Sequence, residues 1–327
     1  MTGRDTVEIS VKGKWSKVPA LRVDGNAIIV RGRWIKVAIL DAEEWLPNEL
    51  ANPEECLQRL RQRDTHGLRA DIFTFSQKPP ATHPKYSYPM EWDSVAALHI
   101  TSFKDWWEKL PQEGRKNVRR SQKRGVVVKV RKLDEDLIAD IVDVNNDSPL
   151  RQRRRFAHYG KTCDEVRKDQ SSFLDRSDFI CAYLGSELIG FLKLVHRGQI
   201  ASILQFLPKA SRTDARPGNA LIAKAVELCE AKGISYLTYG KYRYGNQGTA
   251  SLMEFKARTG FEEILVPTYY IPLTLKGRVA MRLKLHRDLV EMFPQIARRL
   301  GVKIRAGWYK LSALARRCSS MAEQPKL

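Results

Sequence analysis

The sequence predicts an α/β (α+β) domain, a mixed sheet flanked by helices, and three observations carry that prediction. From residue 126 to residue 275 the chain reads strand, helix, three strands, helix, strand, helix, strand. The segment GNALIAKAVELCEAKG (218–233) is apolar nearly all round, as in a helix lying flat on a sheet. That helix joins two strand-like segments, and a crossover of this kind lets its strands lie side by side in parallel. Hydrophobic residues make up 43% of the chain, enough to bury a core.

Taken in order, residues 6–40 alternate like strands. VEISV, ALRV, AIIV and WIKVAIL are rich in Val and Ile, and Asp24-Gly25-Asn26 punctuates a hairpin. PEECLQRLRQR (53–63) has a helical pattern and DIFTFSQ (71–77) that of a strand. KPPATHPKYSYP (78–89) holds four prolines and reads as an extended connector and a candidate boundary. In SFKDWWEKLPQEGRKNVRRSQKRG, Ser102 suits an N-cap, Pro111 divides two helices, and Gly125 closes the second. On that second helix Leu110, Gly114, Val118 and Ser121 share one narrow face. VVVKVRKL (126–133) is a strand and DEDLIADIVDVNNDS (134–148) an amphipathic helix whose opening acids suit the helix dipole. Residues 178–208 form three strands with tight turns at Gly185-Ser186 and Arg197-Gly198. The helix at 218–233 has Asn219 as its expected N-cap and Gly233 past its end. ISYLTYG (234–240) is a strand, TASLMEFKARTGF (249–261) a short helix ending at Gly260, and YYIPLTL (269–275) a last strand.

The formal net charge is +20, which predicts a polyanionic partner: RNA, DNA, an anionic lipid surface or a phosphorylated substrate. The charge is concentrated. GRKNVRRSQKRGVVVKV (114–130) contains no acid, RQRRR (151–155) is a second block, and twelve Lys and Arg lie between Lys276 and Arg317 against Asp288 and Glu291. That last stretch has the spacing of basic amphipathic helices, which dock on a domain, a membrane surface or RNA. Five scattered cysteines form no CxxC pair, which reads as reduced thiols and a cytoplasmic protein. Neither a signal peptide nor a spanning apolar run is expected, and the six histidines have no metal-binding spacing.

Chemistry is expected first at RTDARPGNALIAKAVE (212–227). A strand ends near Leu207, a turn with Arg212, Arg216, Pro217 and Gly218 follows, and a helix begins. Free N–H groups at a helix start attract anions, and glycine admits a phosphate to the backbone. An ordinary strand-to-helix turn has the same look. Tyr242 and Tyr244 follow the next strand, in a loop where a phenol can act as a proton donor or pack against substrate.

RPGNALIAKAVELCEAKG followed by ISYLTYG resembles the GNAT acyltransferase superfamily. There a Gly-x-Gly/Ala turn at this helix start holds the pyrophosphate of acyl-CoA. Gly218-Asn219-Ala220 matches Gly-x-Ala, while the Gln/Arg that precedes it in the pattern falls on Ala215. A narrower likeness spans about residues 103–275. WWEKLPQEGRKNVRRSQKRGVVVKV and LMEFKARTGF are similar to the Fem-like branch, in which Trp-x-x-x-Leu leads into a basic helix and a strand, and Phe-Lys-x-x-x-Gly-Phe closes the domain. That branch includes peptidyltransferases that use aminoacyl-tRNA, and acyltransferases of polysaccharide or lipid synthesis.

The resemblance implies an acyl or aminoacyl transfer to an amine or hydroxyl, in cell-envelope or polysaccharide synthesis. The co-substrate is acyl-CoA or, in its place, aminoacyl-tRNA, with no metal. Strand amides near Leu204 and Phe206 would hold the donor carbonyl. Arg212, Arg216, Gly218, Asn219 and Ala220 would hold its phosphates. Lys256 would stabilise the developing oxyanion, or else be a surface helical lysine. Arg115, Arg119, Arg120 and Lys123 would face a phosphorylated acceptor or carrier. The expected organisation is an N-terminal β-rich region over 1–95, a shortened GNAT-like half, then the acyltransferase domain over 96–275 and a basic helical tail over 276–327. Location at the inner membrane face fits the basic tail. The competing expectation is a non-catalytic protein on the same fold, binding RNA or a membrane surface through its basic blocks.

Overall fold

A computed structural model describes residues 5–286 except 12–13, 47, 63–67, 152–153 and 244–249. The basic tail from residue 287 onward therefore lies outside the described residues. The first part of the chain contains β1 (Thr6–Val11), β2 (Lys14–Val23), β3 (Asn26–Arg31), β4 (Val37–Leu40), α1 (Pro53–Arg61) and β5 (Ile72–Ser76). Then come β6 (Met90–His99), α2 (Phe103–Lys109), α3 (Gln112–Lys123), β7 (Val126–Arg131) and α4 (Glu135–Asn146). A small hairpin of β8 (Leu150–Arg151) and β9 (Arg154–Arg155) leads to α5 (Cys163–Gln170). The remainder comprises β10 (Ser177–Leu184), β11 (Glu187–Arg197), β12 (Ile200–Pro208), α6 (Pro217–Ala231), β13 (Tyr236–Lys241), α7 (Ala250–Arg258), β14 (Glu262–Pro272) and α8 (Leu275–Arg282).

Twelve strands form one mixed sheet in the order β1-β2-β3-β4-β5-β14-β6-β13-β12-β11-β10-β7. The predicted α/β class holds, and so does the parallel crossover: β12 and β13 run parallel, joined by α6. β6 lies between β13 and β14, and β14 pairs with both β6 and β5, so hydrogen bonding continues from the N-terminal strands into the rest of the sheet.

Strand alternation sorts side chains onto two faces. On β10, Ile180 and Ala182 join the core under α6, while Phe179, Cys181 and Tyr183 join the core under α4 and α5. Leu221, Ile222 and Val226 of α6 are fully buried, each contributing about 1.5–3 kcal/mol by the usual area relation. A third core gathers Phe73, Phe75, Tyr269 and Leu57 in the N-terminal part. Gly114 is where α3 meets α7: an added Cβ would lie 2.3 Å from the Arg258 carbonyl oxygen. Beside it, Trp106 Nε1 donates to the Thr259 carbonyl at 3.1 Å.

Two local expectations are corrected. Asn219 is not the N-cap of α6; Pro217 occupies the first turn and Arg216 the cap, in the left-handed region at φ 55°. The last strand begins at Glu262 and ends at Pro272, ahead of the expected span, and Thr274 caps α8 through Gly277 N–H. β6 and α5 are elements that the residue pattern does not announce. No described helix is long and apolar enough to cross a membrane.

Candidate active site

β12 and β13 start as neighbours and then part. They pair only through Ile200–Ser202 and Tyr236–Thr238. The last pair is pinned from the side: Ser202 Oγ lies 2.6 Å from Thr238 Oγ1, and Arg197 Nη2 donates to Ser202 Oγ at 2.9 Å. Beyond it, β12 keeps β11 on one edge and has no strand on the other among the described residues. A bulge accentuates the departure. Lys193 faces Gln205 and Leu194 faces Ile203, which leaves Leu204 as the extra residue. Leu204 and Phe206, expected at the donor carbonyl, therefore sit on the edge that β13 vacates.

The gap opens into a cleft of about 620 Å³. Phe206, Tyr239, Leu252 and Phe255 line one wall, Leu150 and Phe156 another, and Arg216–Asn219 close one end. The Phe206 ring centroid lies 5.5 Å from Tyr239 and 5.4 Å from Phe255. Gly218 is tightly placed here: an added Cβ would lie 3.0 Å from Phe206 Cζ, so the ring would have to shift. Two guanidiniums in this apolar cleft have unused donors. Arg216 Nε is buried without a hydrogen-bond partner. Arg151 donates from Nη1 to the Pro208 carbonyl at 2.8 Å, stacks over Phe156 at 4.9 Å and is ion-paired through Nη2 with Asp147 at 3.8 Å, while its Nε makes no hydrogen bond. Burial lowers the Arg151 pKa, yet a guanidinium stays charged. Arg151 is a site residue that sequence reading missed; only its membership of a basic block marked it.

The start of α6 offers less to an anion than expected. Pro217 has no N–H, and the Asn219 and Ala220 amides return to the Arg216 carbonyl at 3.1 and 3.4 Å. Of the residues that open the helix, Gly218 alone has an N–H not directed to Arg216. Arg212 turns away onto Glu187, with Nη2 at 2.7 Å.

Lys256 is neither a surface lysine nor a cleft-facing cation. It is fully buried, and Nζ donates to the carbonyls of Tyr239 at 2.7 Å and Lys241 at 2.6 Å. Burial pulls its pKa down to about 8. These bonds hold the part of β13 that has lost its β12 partner, and there the β6 register also shifts. Tyr242 is half-buried against the main core, its N–H bonded to the Ser94 carbonyl at 2.9 Å. Tyr244 lies outside the described residues.

The four basic residues assigned to α3 divide into two kinds. Arg115 Nη1 donates to the Glu108 carbonyl at 2.9 Å, and Arg119 stacks over Trp107 at 5.5 Å, so both brace α2. Arg120 and Lys123 are exposed. Arg124 pairs with Asp214, which ties the end of α3 to the turn leading into α6. Among the described residues no group of three or more His, Cys, Asp or Glu is placed to hold a metal ion.

No protein-family model matches the chain, and no curated protein matches its sequence. Solved structures do match. The C-terminal domain of a protein assigned as a lysylphosphatidylglycerol synthetase from Agrobacterium fabrum aligns with a TM-score of 0.53 at 14% identity, over 81% of this chain and 87% of that one. FemX aligns with a TM-score of 0.51 at 8% identity, over 86% and 90%. The chain has the fold of the Fem-like GNAT branch. A conserved protein of unknown function from Bacteroides thetaiotaomicron has the same likeness, with a TM-score of 0.53 at 9% identity over 78% of this chain and 86% of that one. The likeness in fold extends over most of the chain.

Proposed function

We propose that this chain is a transferase that moves an acyl or aminoacyl group from a phosphate-bearing carrier, acyl-CoA or aminoacyl-tRNA, to an amine or hydroxyl. The observation that carries this reading is the parting of β12 from β13 over a cleft closed by the start of α6. The vacated edge around Leu204 and Phe206 supplies main-chain donors for the acyl carbonyl, where they stabilise charge as it develops on oxygen. Phe206, Tyr239 and Phe255 cover the acyl arm. Arg216, Arg151 and the Gly218 N–H receive the carrier's phosphates, with Asn219 and Ala220 setting the turn. Arg120 and Lys123 extend the basic surface toward a polyanionic carrier, on a helix braced by Arg115 and Arg119. Lys256 is a positioning residue that keeps the end of β13 fixed, and Tyr242 and Tyr244, which follow the cleft-lining Tyr239 in sequence, are candidate phenols for the leaving group.

Thermal unfolding with acetyl-CoA, longer acyl-CoAs, free CoA and aminoacyl-tRNA tests this reading. A specific donor stabilises by about 2.7 kcal/mol at a hundredfold excess over its Kd. The shift is expected to saturate and to vanish in Gly218→Glu. A shift with CoA species alone selects the thioester donor, and one with aminoacyl-tRNA alone selects the ester. RNA affinity that falls steeply with salt, with no Gly218-dependent shift, would instead indicate a binding protein on this fold.

A further inference from the structure

α8 packs on the domain through its small residues. Gly277 and Ala280 are the buried ones, and a Cβ added at Gly277 would collide with the Asp71 carbonyl oxygen. The large apolar residues lie on the other side. Leu275, Val279 and Leu283 follow one another at i, i+4 and i+8 and are 74%, 55% and 59% exposed. A surface helix ordinarily turns such a stripe toward the core; here it faces outward.

The connection between β3 and β4 extends this stripe. Lys276 Nζ donates to the Trp34 carbonyl, and Trp34 is 77% exposed. Asp71 fastens the two segments together. Its Oδ2 accepts the Lys36 N–H at 2.9 Å and pairs with Lys276 at 3.5 Å, while its Oδ1 accepts from Thr274 Oγ1 at 3.0 Å. Asp71 is itself buried, so its charge is answered within the fold and does not offset the cations outside. Those cations surround the apolar residues. Arg31, Arg33 and Lys36 on one segment and Arg278, Arg282 and Lys284 on the other are all exposed. Neither 27–40 nor 273–286 contains Asp or Glu.

A contiguous apolar patch on a surface calls for a partner, and charge selects which one. A second copy of this face would set cations against cations. The tail would do the same, because residues 287–327 carry nine Lys and Arg against three acids. RNA would answer the charge but leave three aliphatic side chains and an indole in water. An anionic bilayer answers every part. Its headgroups meet the Lys and Arg, its acyl boundary receives Leu and Val, and the zone between them favours Trp.

We propose that α8 and the Trp34 segment form a docking face for an anionic phospholipid bilayer. Leu275, Val279, Leu283 and Trp34 enter the interface, and the six surrounding cations face headgroup phosphates. α8 has eight residues, so it lies in the plane of the surface and does not span. The face is independent of the donor reading, since the cleft walls come from residues 150–255.

The test uses the full chain and sedimentation with sucrose-loaded vesicles of phosphatidylcholine, alone or mixed in equal parts with phosphatidylglycerol. Binding to the mixed vesicles is expected to be at least about tenfold tighter, with a preference that shrinks as salt is added. Leu275→Ser/Val279→Ser/Leu283→Ser keeps every charge and should weaken that binding about tenfold or more, with the unfolding midpoint unchanged. Arg278→Gln/Arg282→Gln/Lys284→Gln should lose most of the preference for anionic vesicles. Phosphatidylcholine brominated on its acyl chains should quench part of the tryptophan emission, and that part should fall in Trp34→Phe. The inference is overturned by equal binding to the two kinds of vesicle or by quenching unchanged in Trp34→Phe. It is also overturned by vesicle binding that the serine variant keeps in full, which would assign the contact to the tail. RNA binding untouched by the serine substitutions, without vesicle binding, would overturn it too and make this a nucleic-acid face.

Discussion

The two cavities flanking β13 are opposites in their walls and in their origin. The cleft is aromatic, about 620 Å³, and built within residues 150–255. The cavity behind it is charged, about 260 Å³, and draws its walls from Glu43 through Val266. Strand periodicity makes this possible: Tyr239 faces one and Thr238 and Gly240 the other, so one strand separates an apolar compartment from a polar one. A carrier with a long arm suits the first.

If the two compartments are separate in function, substitutions should divide their effects. After Gly218→Glu, the largest effect is expected from the cleft arginines. Arg216→Asn removes the guanidinium at φ 55°, a conformation that asparagine tolerates. It should weaken donor binding by about ten- to a hundredfold, the usual worth of a charge-assisted hydrogen bond. Arg151→Ala should do the same. Titration calorimetry of acyl-CoA or aminoacyl-tRNA on each variant measures the loss.

The charged cavity should also leave a mark on stability. Burial raises Glu43 from an ordinary 4.5 to about 7, so the folded chain holds a proton there that the unfolded chain has released. Its stabilisation is full below pH 4.5 and is lost as pH rises through 7. Lys78 acts in the adjoining window. Burial lowers it from 10.5 to about 7, so the charged form is disfavoured in the fold and stability recovers as pH rises from 7 toward 10.5. The facing charges are Asp93 and Lys78 for Glu43, and Arg197, Glu43, Glu49 and Arg176 for Lys78. Denaturant unfolding of wild type and Glu43→Gln should therefore diverge between pH 4.5 and 7, by on the order of a few kcal/mol. Parallel curves would mean that Glu43 titrates normally.

The contrast between the compartments also explains what was legible in the sequence. The strands β10 to β12 and the helix α6 announce themselves through continuous apolar runs and left-handed glycines at Gly185 and Gly198. The cleft follows from them, because its walls are local to that run. β6 is central in the sheet, but its alternation lasts only over Met90–Asp93 before Ser94 and the continuous apolar run Val95–Leu98 break it; Asp93 lines the cavity. α5 buries only Val166 and Gln170, too little for a stripe. Lys256 looks like any lysine near a helix end, and its burial depends on carbonyls of β13 far from it in the chain. The charged cavity brings together residues more than two hundred positions apart, and no local spacing encodes that.

Arg212 offers the smallest and sharpest of these tests. Beside Arg216 in sequence, it is an equally good phosphate ligand on paper. In the fold its guanidinium makes two bonds to Glu187, at 3.0 and 2.7 Å, and Glu187 also receives Lys209 at 2.8 Å. A phosphate could recruit Arg212 only by competing with a carboxylate oxygen that already accepts from both its Nε and its Nη2. Arg216 Nε has no such partner to give up. Arg212→Ala should therefore leave the donor dissociation constant unchanged within error, under conditions where Arg216→Asn changes it. Equal losses in the two variants would mean that the turn rearranges on binding, with Glu187 released and the whole 212–220 segment closing on the carrier. That outcome would move the phosphate site from a preformed pair of arginines to one assembled by the ligand.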